Sequence, residues 1–175
     1  MSEPYLSRAG LYERLDAVRT ALGVSPAEPA DPFRLSALTG CRVGLRPFDG
    51  NVGGMLLYLP DGPLVLLNAA RPCESRRFSL AHELVHLWLH PKRPPGQPQD
   101  PRREWQANDG AAELLIPYRA LAPLVVRNRV LLREDPALLA RIVAQRFEVS
   151  QTQAKYRLRA LYGAGAPERR PHADV

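Results

Sequence analysis

Residues 76–90 read RRFSLAHELVHLWLH, and at their centre His82-Glu83-Leu84-Val85-His86 sets two imidazoles four positions apart around a carboxylate. Apolar side chains at Phe78, Leu80, Ala81, Leu84, Val85, Leu87, Trp88 and Leu89 cover almost the whole circumference of a helix drawn through the stretch. A helix apolar on nearly every side is an interior one. Positions i and i+4 project from one face of it, with Cβ atoms about 6 Å apart. Two neutral imidazoles so placed can grip one Zn2+ at roughly 2.0–2.1 Å each. Glu83 lies on the neighbouring edge, placed to handle a proton of water rather than the ion. Left without partners, two histidines and a glutamate in such a helix would cost a few kcal/mol each. A metal satisfies all three together.

Upstream, Leu11, Leu15, Val18 and Leu22 mark a helix from Leu6 to Leu22, ended by Gly23 and Pro26. Asp31 can cap a short helix with Pro32 at its first position. Three short strands are expected at Arg42 to Arg46, Met55 to Leu59 and Leu64 to Leu67, the last two as a hairpin across Asp61-Gly62-Pro63. The HELVH helix is expected from Glu74 to Leu89, stopped at His90 by Pro91. Residues 91–101, PKRPPGQPQDP, are too proline-rich for helix or strand and read as an exposed loop. A helix follows from Arg102 to Ile116, with two more at Pro136 to Phe147 and Gln151 to Tyr162. From Gly163 a polar tail is expected, and its His172 is no candidate ligand.

At 175 residues the chain is long enough to bury a core of its own. The N-terminal stretch carries charge throughout and lacks the apolar centre of a signal peptide. No run approaches the ~18 apolar residues of a membrane helix. A cytoplasmic location without membrane contact is therefore expected. Cys41 and Cys73 form no CxxC pair and read as small buried hydrophobes. The net charge of +6 rests on arginine, lysine occurring only as Lys92 and Lys155. That balance suits an acidic or DNA-bound partner without demanding one.

A catalytic zinc needs three protein ligands and an open fourth position. His90 is a poor third, since eight residues past His82 it points roughly 80° away on a straight helix. A histidine at the helix C-terminus, favourably placed against the dipole, is the better reading. The helix EWQANDGAAELLIP offers Glu104 and Glu113. Nine residues apart, they are separated by about 900° of winding and face nearly opposite sides. Glu104 has Asn108 one turn later on its own face, a pair able to supply ligand and supporting hydrogen bond together. Glu113 is left to face solvent or to cap a neighbouring element. Geometry favours Glu104.

The pair RRFSLAHELVH and ExxANxxAAELLIP resembles the ImmA/IrrE family of bacterial zinc metallopeptidases. That family shows a helix of the type RxFTLAHELGH followed by ExxANxFAAxLLMP. The likeness spans roughly residues 40 to 162, from the strand ending in Asn68 to the segment FEVSQTQAKYRL. It implies one catalytic Zn2+, with Mn2+ as an alternative ion, held by His82, His86 and Glu104, and Glu83 as the catalytic carboxylate. The implied fold is α+β: a small three-stranded antiparallel or mixed sheet on a zincin-like helical core, with a C-terminal helix-turn-helix-like pair. Residues 1–125 are expected to form the peptidase domain, 126–162 the helical subdomain and 163–175 the tail. Gly110 stands where most members carry phenylalanine and resembles the radiation-response regulator branch. Longer members of that branch have a C-terminal sensor-like domain, and sensing by such a module is not expected here.

The resemblance further implies a narrow protein substrate. This is a helix-turn-helix transcriptional repressor of the phage or stress-response type, cut to derepress its genes. The C-terminal LLARIVAQRFEVSQTQAKYRLRAL itself resembles a helix-turn-helix, with Lys155, Arg157 and Arg159 on the second helix and Glu148 where a turn glycine is common. DNA is thus a weaker candidate partner. Two further readings are a DNA-binding regulator with a structural metal and a repressor-binding protein that does not cut. No oxyanion-stabilising residue stands out; Tyr58 and Tyr118 are candidates.

Overall fold

The computed structural model describes residues 6–90 and 100–163, in which eight helices and one three-stranded sheet are formed. Aspartate followed by proline opens three of the helices: α2 (Pro32–Leu38), α4 (Pro101–Leu115) and α7 (Pro136–Phe147). In each the aspartate carboxylate accepts a first-turn backbone N–H, at Phe33, Arg102 and Leu138. The following proline has no N–H to leave unpaired. Ser7 caps α1 (Arg8–Ala21) in the same way.

Strands β1 (Arg42–Arg46), β2 (Gly54–Leu59) and β3 (Gly62–Asn68) lie in the order β1-β3-β2. The expected hairpin is present: β2 pairs antiparallel with β3, Leu56 opposite Val65, through a turn in which Gly62 has φ of 116°. β1 runs parallel to β3, making the sheet mixed. Paired on both sides, β3 buries Val65 and Leu67 completely, whereas β2 is an edge strand. Asn68 closes the end of β3, its amide donating to the carbonyls of Phe48 and Val52.

Helix α3 (Cys73–Leu89) carries the HELVH stretch, and residues 79–85 of it are buried. It packs on the sheet and along α4. Gly110 of α4 sets how closely the helices approach: a Cβ there would lie 3.0 and 3.1 Å from the Val85 methyls and 3.3 Å from Leu15 of α1. Leu15 and Val85 thus fill the space that a larger side chain at this position would need.

Helix α5 (Tyr118–Arg127) was not expected, whereas α6 (Arg129–Glu134) lies within residues 126–162, expected as a helical subdomain. Pro123 sits inside α5, where it removes one helical hydrogen bond and obscures the periodicity. α7 and α8 (Gln151–Tyr162) coincide with expectation. Glu148 between them adopts the left-handed conformation, φ 53° and ψ 49°, that the turn geometry requires. Its carboxylate and carbonyl both accept from Arg77 of α3. A capping box at Ser150 and Gln153 then starts α8. One buried cluster joins Leu11, Leu15, Val65, Leu84 and Ala111 with Leu139, Val143 and Leu158 of the last two helices.

Two expectations are corrected. Arg157 does not share an exposed basic face with Lys155 and Arg159. It is fully buried, donating from Nε to the Ile116 carbonyl at 3.0 Å and from its guanidinium to Glu113 and the Tyr12 hydroxyl. Of the two readings open for Glu113, the cap is the one formed: its carboxylate pairs with this cation and accepts the Tyr118 backbone N–H at the start of α5. Cys41 is buried as expected, but Cys73 is exposed at the first residue of α3. The tail with His172 and the loop of residues 91–99 lie outside the described residues. No helix among those described is long and apolar enough to cross a membrane.

Gly110→Phe is expected to destabilise the protein by about 3 kcal/mol or more, the upper end of overpacking costs, because Val85 and Leu15 must both be displaced. The denaturant midpoint reads this directly. An unchanged midpoint would show that the helices can part there without cost.

Candidate metal centre

The i, i+4 spacing on α3 places the His82 and His86 rings with centroids 4.7 Å apart. Their Nε2 atoms approach to 3.0 Å. Across from them, Glu104 in the first turn of α4 sets one carboxylate oxygen 3.4 Å from His82 Nε2 and the other 3.5 Å from His86 Nε2. Ligand atoms at the corners of a tetrahedron with 2.0–2.1 Å bonds to zinc are about 3.3–3.4 Å apart. The three side chains can therefore hold one metal ion with little rearrangement. Glu113, its carboxylate capping α5 and paired with Arg157, is not in this group.

The supporting contact expected of Asn108 is formed, with its Oδ1 3.0 Å from His82 Nδ1. A carbonyl oxygen only accepts, so His82 carries its proton on Nδ1 and presents a lone pair at Nε2. Three electron-rich atoms thus converge where His82 is buried and His86 and Glu104 are half-buried, an arrangement that repels itself unless a cation lies among them.

The two carboxylates near the histidines respond to their surroundings in opposite ways. Burial raises the pKa of Glu104, but its contacts with the His82 and His86 rings outweigh it and hold the group well below the ordinary carboxylate range. Glu83, only 8 % exposed, is pushed up to about 7. Burial is the main cause; the charge of Glu104 adds to it, while His86 and the Leu56 backbone N–H of β2 oppose it. One carboxylate stays charged, as a ligand must, and the other is poised to exchange a proton near neutral pH.

His90 stands at the C-cap of α3, as expected, and is outside the ligand group. It leaves the helix with extended backbone, and its buried ring meets His86, Nδ1 to Nδ1, at 2.8 Å. Its Nε2 lies 2.8 Å from Oε1 of Gln106, also buried. The signal was present, because His86 and His90 repeat the i, i+4 spacing of His82 and His86. Gln106 could not have been found this way, being two residues from both Glu104 and Asn108 and so on another face of α4. Tyr58 lies close enough to Glu83 for that charge to raise its pKa, after burial as the main cause.

Two histidines and a carboxylate able to hold a metal ion, beside a second buried carboxylate of raised pKa, are the arrangement a metal-dependent hydrolase needs, here in an α+β frame. More narrowly, the chain belongs to the IrrE N-terminal-like domain family, whose profile matches residues 38–159, and its function is of the metallopeptidase type. The matched segment runs from the end of α2 into α8 and includes every residue of the site. No curated protein matches the chain.

His82→Ala is expected to abolish stoichiometric zinc binding, measured by elemental analysis after gel filtration. Asn108→Ala should retain zinc but weaken it about 10–100-fold in competition with a chelator. Unaltered affinity in Asn108→Ala would show that this contact does not orient His82.

Proposed function

We propose that this protein is a zinc-dependent endopeptidase that cleaves a helix-turn-helix transcriptional repressor at a specific site, releasing stress-response or mobile-element genes from repression. The observation that carries the peptidase reading is the convergence of His82, His86 and Glu104 next to a buried Glu83 of raised pKa. The repressor as substrate rests on the resemblance of the paired motifs.

His82, His86 and Glu104 would hold the ion, zinc or alternatively manganese. When bound, it supplies Lewis acidity that polarises a peptide carbonyl and acidifies water. Glu83 takes the proton of the attacking water and returns it to the departing amine. The Leu56 N–H keeps the Glu83 carboxylate against β2. Alternation along an antiparallel strand turns the backbone of Gly54, Leu56 and Tyr58 away from β3, towards the open side of the sheet. An extended substrate segment added along this edge would bring its peptide bonds past Glu83. Tyr58, on the same strand and within the field of Glu83, is the better placed of the two tyrosine candidates for stabilising an oxyanion. Tyr118 instead begins α5, its backbone N–H on Glu113.

The α7–turn–α8 pair favours a role in binding the repressor or DNA, through Lys155 and the exposed Gln151 and Thr152 rather than Arg157.

The test is incubation with candidate helix-turn-helix repressors, each purified intact. Two discrete fragments are expected with zinc and none with a chelator. Glu83→Gln should keep its zinc and lose about 10²–10⁴-fold in cleavage rate, the usual contribution of a general base. Full activity in that variant would remove Glu83 from the mechanism. Binding of an intact repressor would favour the non-cleaving partner, and a salt-sensitive gel shift alone the DNA-binding regulator.

A further inference from the structure

We propose that His90 and Gln106 form a proton-ordering pair that holds His86 in the one tautomer able to bind a metal. They are positioning residues, and the proposal rests on the reading of His82, His86 and Glu104 as metal ligands.

A neutral imidazole has one N–H and one lone pair. His86 turns Nε2 towards His82 and Glu104, so the lone pair must be there and the proton on Nδ1. His82 is held to this form by the Asn108 carbonyl. Among the described residues no carbonyl takes this position beside His86; its Nδ1 faces the Nδ1 of another imidazole at 2.8 Å. That contact alone decides nothing, because a proton can sit on either nitrogen.

The next link decides. His90 Nε2 is 2.8 Å from the Gln106 carbonyl oxygen, which can only accept. The proton of His90 is therefore on Nε2, its Nδ1 offers a lone pair, and His86 donates to it from Nδ1. The lone pair of His86 is left on Nε2, facing the other two donors. Turned over, the Gln106 amide would donate instead. The order would reverse, and a proton on His86 Nε2 would occupy the place of the ion. His90 and Gln106 are 6 % and 7 % exposed, so water competes little for these contacts. The rings of His82 and His86 on α3 and of His90 just past its end follow one another with centroids 4.7 and 4.9 Å apart, which keeps the chain of contacts in register.

The experiment is zinc affinity at one pH by chelator competition, with thermal unfolding of the metal-free proteins measured alongside. Gln106→Met, of similar length but without an acceptor, is expected to weaken zinc binding about 10–100-fold. Gln106→Glu, which can only accept when ionised, should bind zinc at least as tightly as the parent. His90→Asn places a carbonyl oxygen where Nδ1 stood and lets His86 donate directly. It should bind zinc nearly normally, and in that background Gln106→Met should have no further effect. A merely structural role for Gln106 predicts the same loss in both backgrounds, and that result would overturn the proposal. So would normal affinity in Gln106→Met, or equal losses in Gln106→Met and Gln106→Glu. If the parent protein binds no zinc, the metal-site reading itself fails, and the pair with it.

Discussion

Three lone-pair donors held together, one buried and two half-buried, are the constraint on which the rest of the structure depends. His82 and His86 share a face of α3 by helical spacing, but Glu104 reaches them only because α4 lies close alongside. Gly110, with no Cβ to meet Val85 and Leu15, permits that approach, and Ala107 and Ala111 are small enough to sit fully buried beside it. α1 enters the same packing through Leu15, although it precedes the segment matched by the family. The convergence of these donors and the packing of the helices are thus one problem, solved at one interface.

Charge within the interior is sorted by what each carboxylate meets. Glu104 faces two imidazoles and remains ionised. Glu83 faces mostly apolar neighbours and the charge of Glu104, so its proton is held up to near neutrality. Glu113, one α4 face away, meets the buried Arg157 and the start of α5 and takes no part in the site. A buried pair of this kind is weak support for stability, but removing one partner would strand the other. Its consequence here is topological: α8 is tied through Arg157 to α4, α1 and the Ile116 carbonyl. The helix that reads as a DNA-recognition element from its basic residues gives one of them to the interior.

Much of the site was legible in the sequence because periodicity carries it. The 3.6-residue repeat places His82 with His86, separates Glu104 from Glu113 and sets Asn108 behind Glu104. Asp31-Pro32 marks where α2 begins, and Asp61-Gly62 marks the hairpin; the caps at Asp100-Pro101 and at Ser150 with Gln153 came from the structure. What periodicity cannot show is what lies opposite a side chain. The parallel pairing of β1 with β3, the burial of Arg157 and the close contact at Gly110 are long-range facts with no local signature. His90 lay between the two: its spacing from His86 was visible, but an argument about straight helices tests only the direction of a metal ligand. The ring reaches its place after the chain has left the helix. α5 escaped notice because Pro123 breaks the local pattern while the helix continues through it.

The most direct test of the central claim is zinc K-edge X-ray absorption of the metal-loaded protein in solution. The account predicts a shell of nitrogen and oxygen at about 2.0–2.1 Å, with outer-shell scattering from two imidazoles and room for one non-protein ligand. A sulfur shell near 2.3 Å, or four protein ligands closing the coordination, would contradict it.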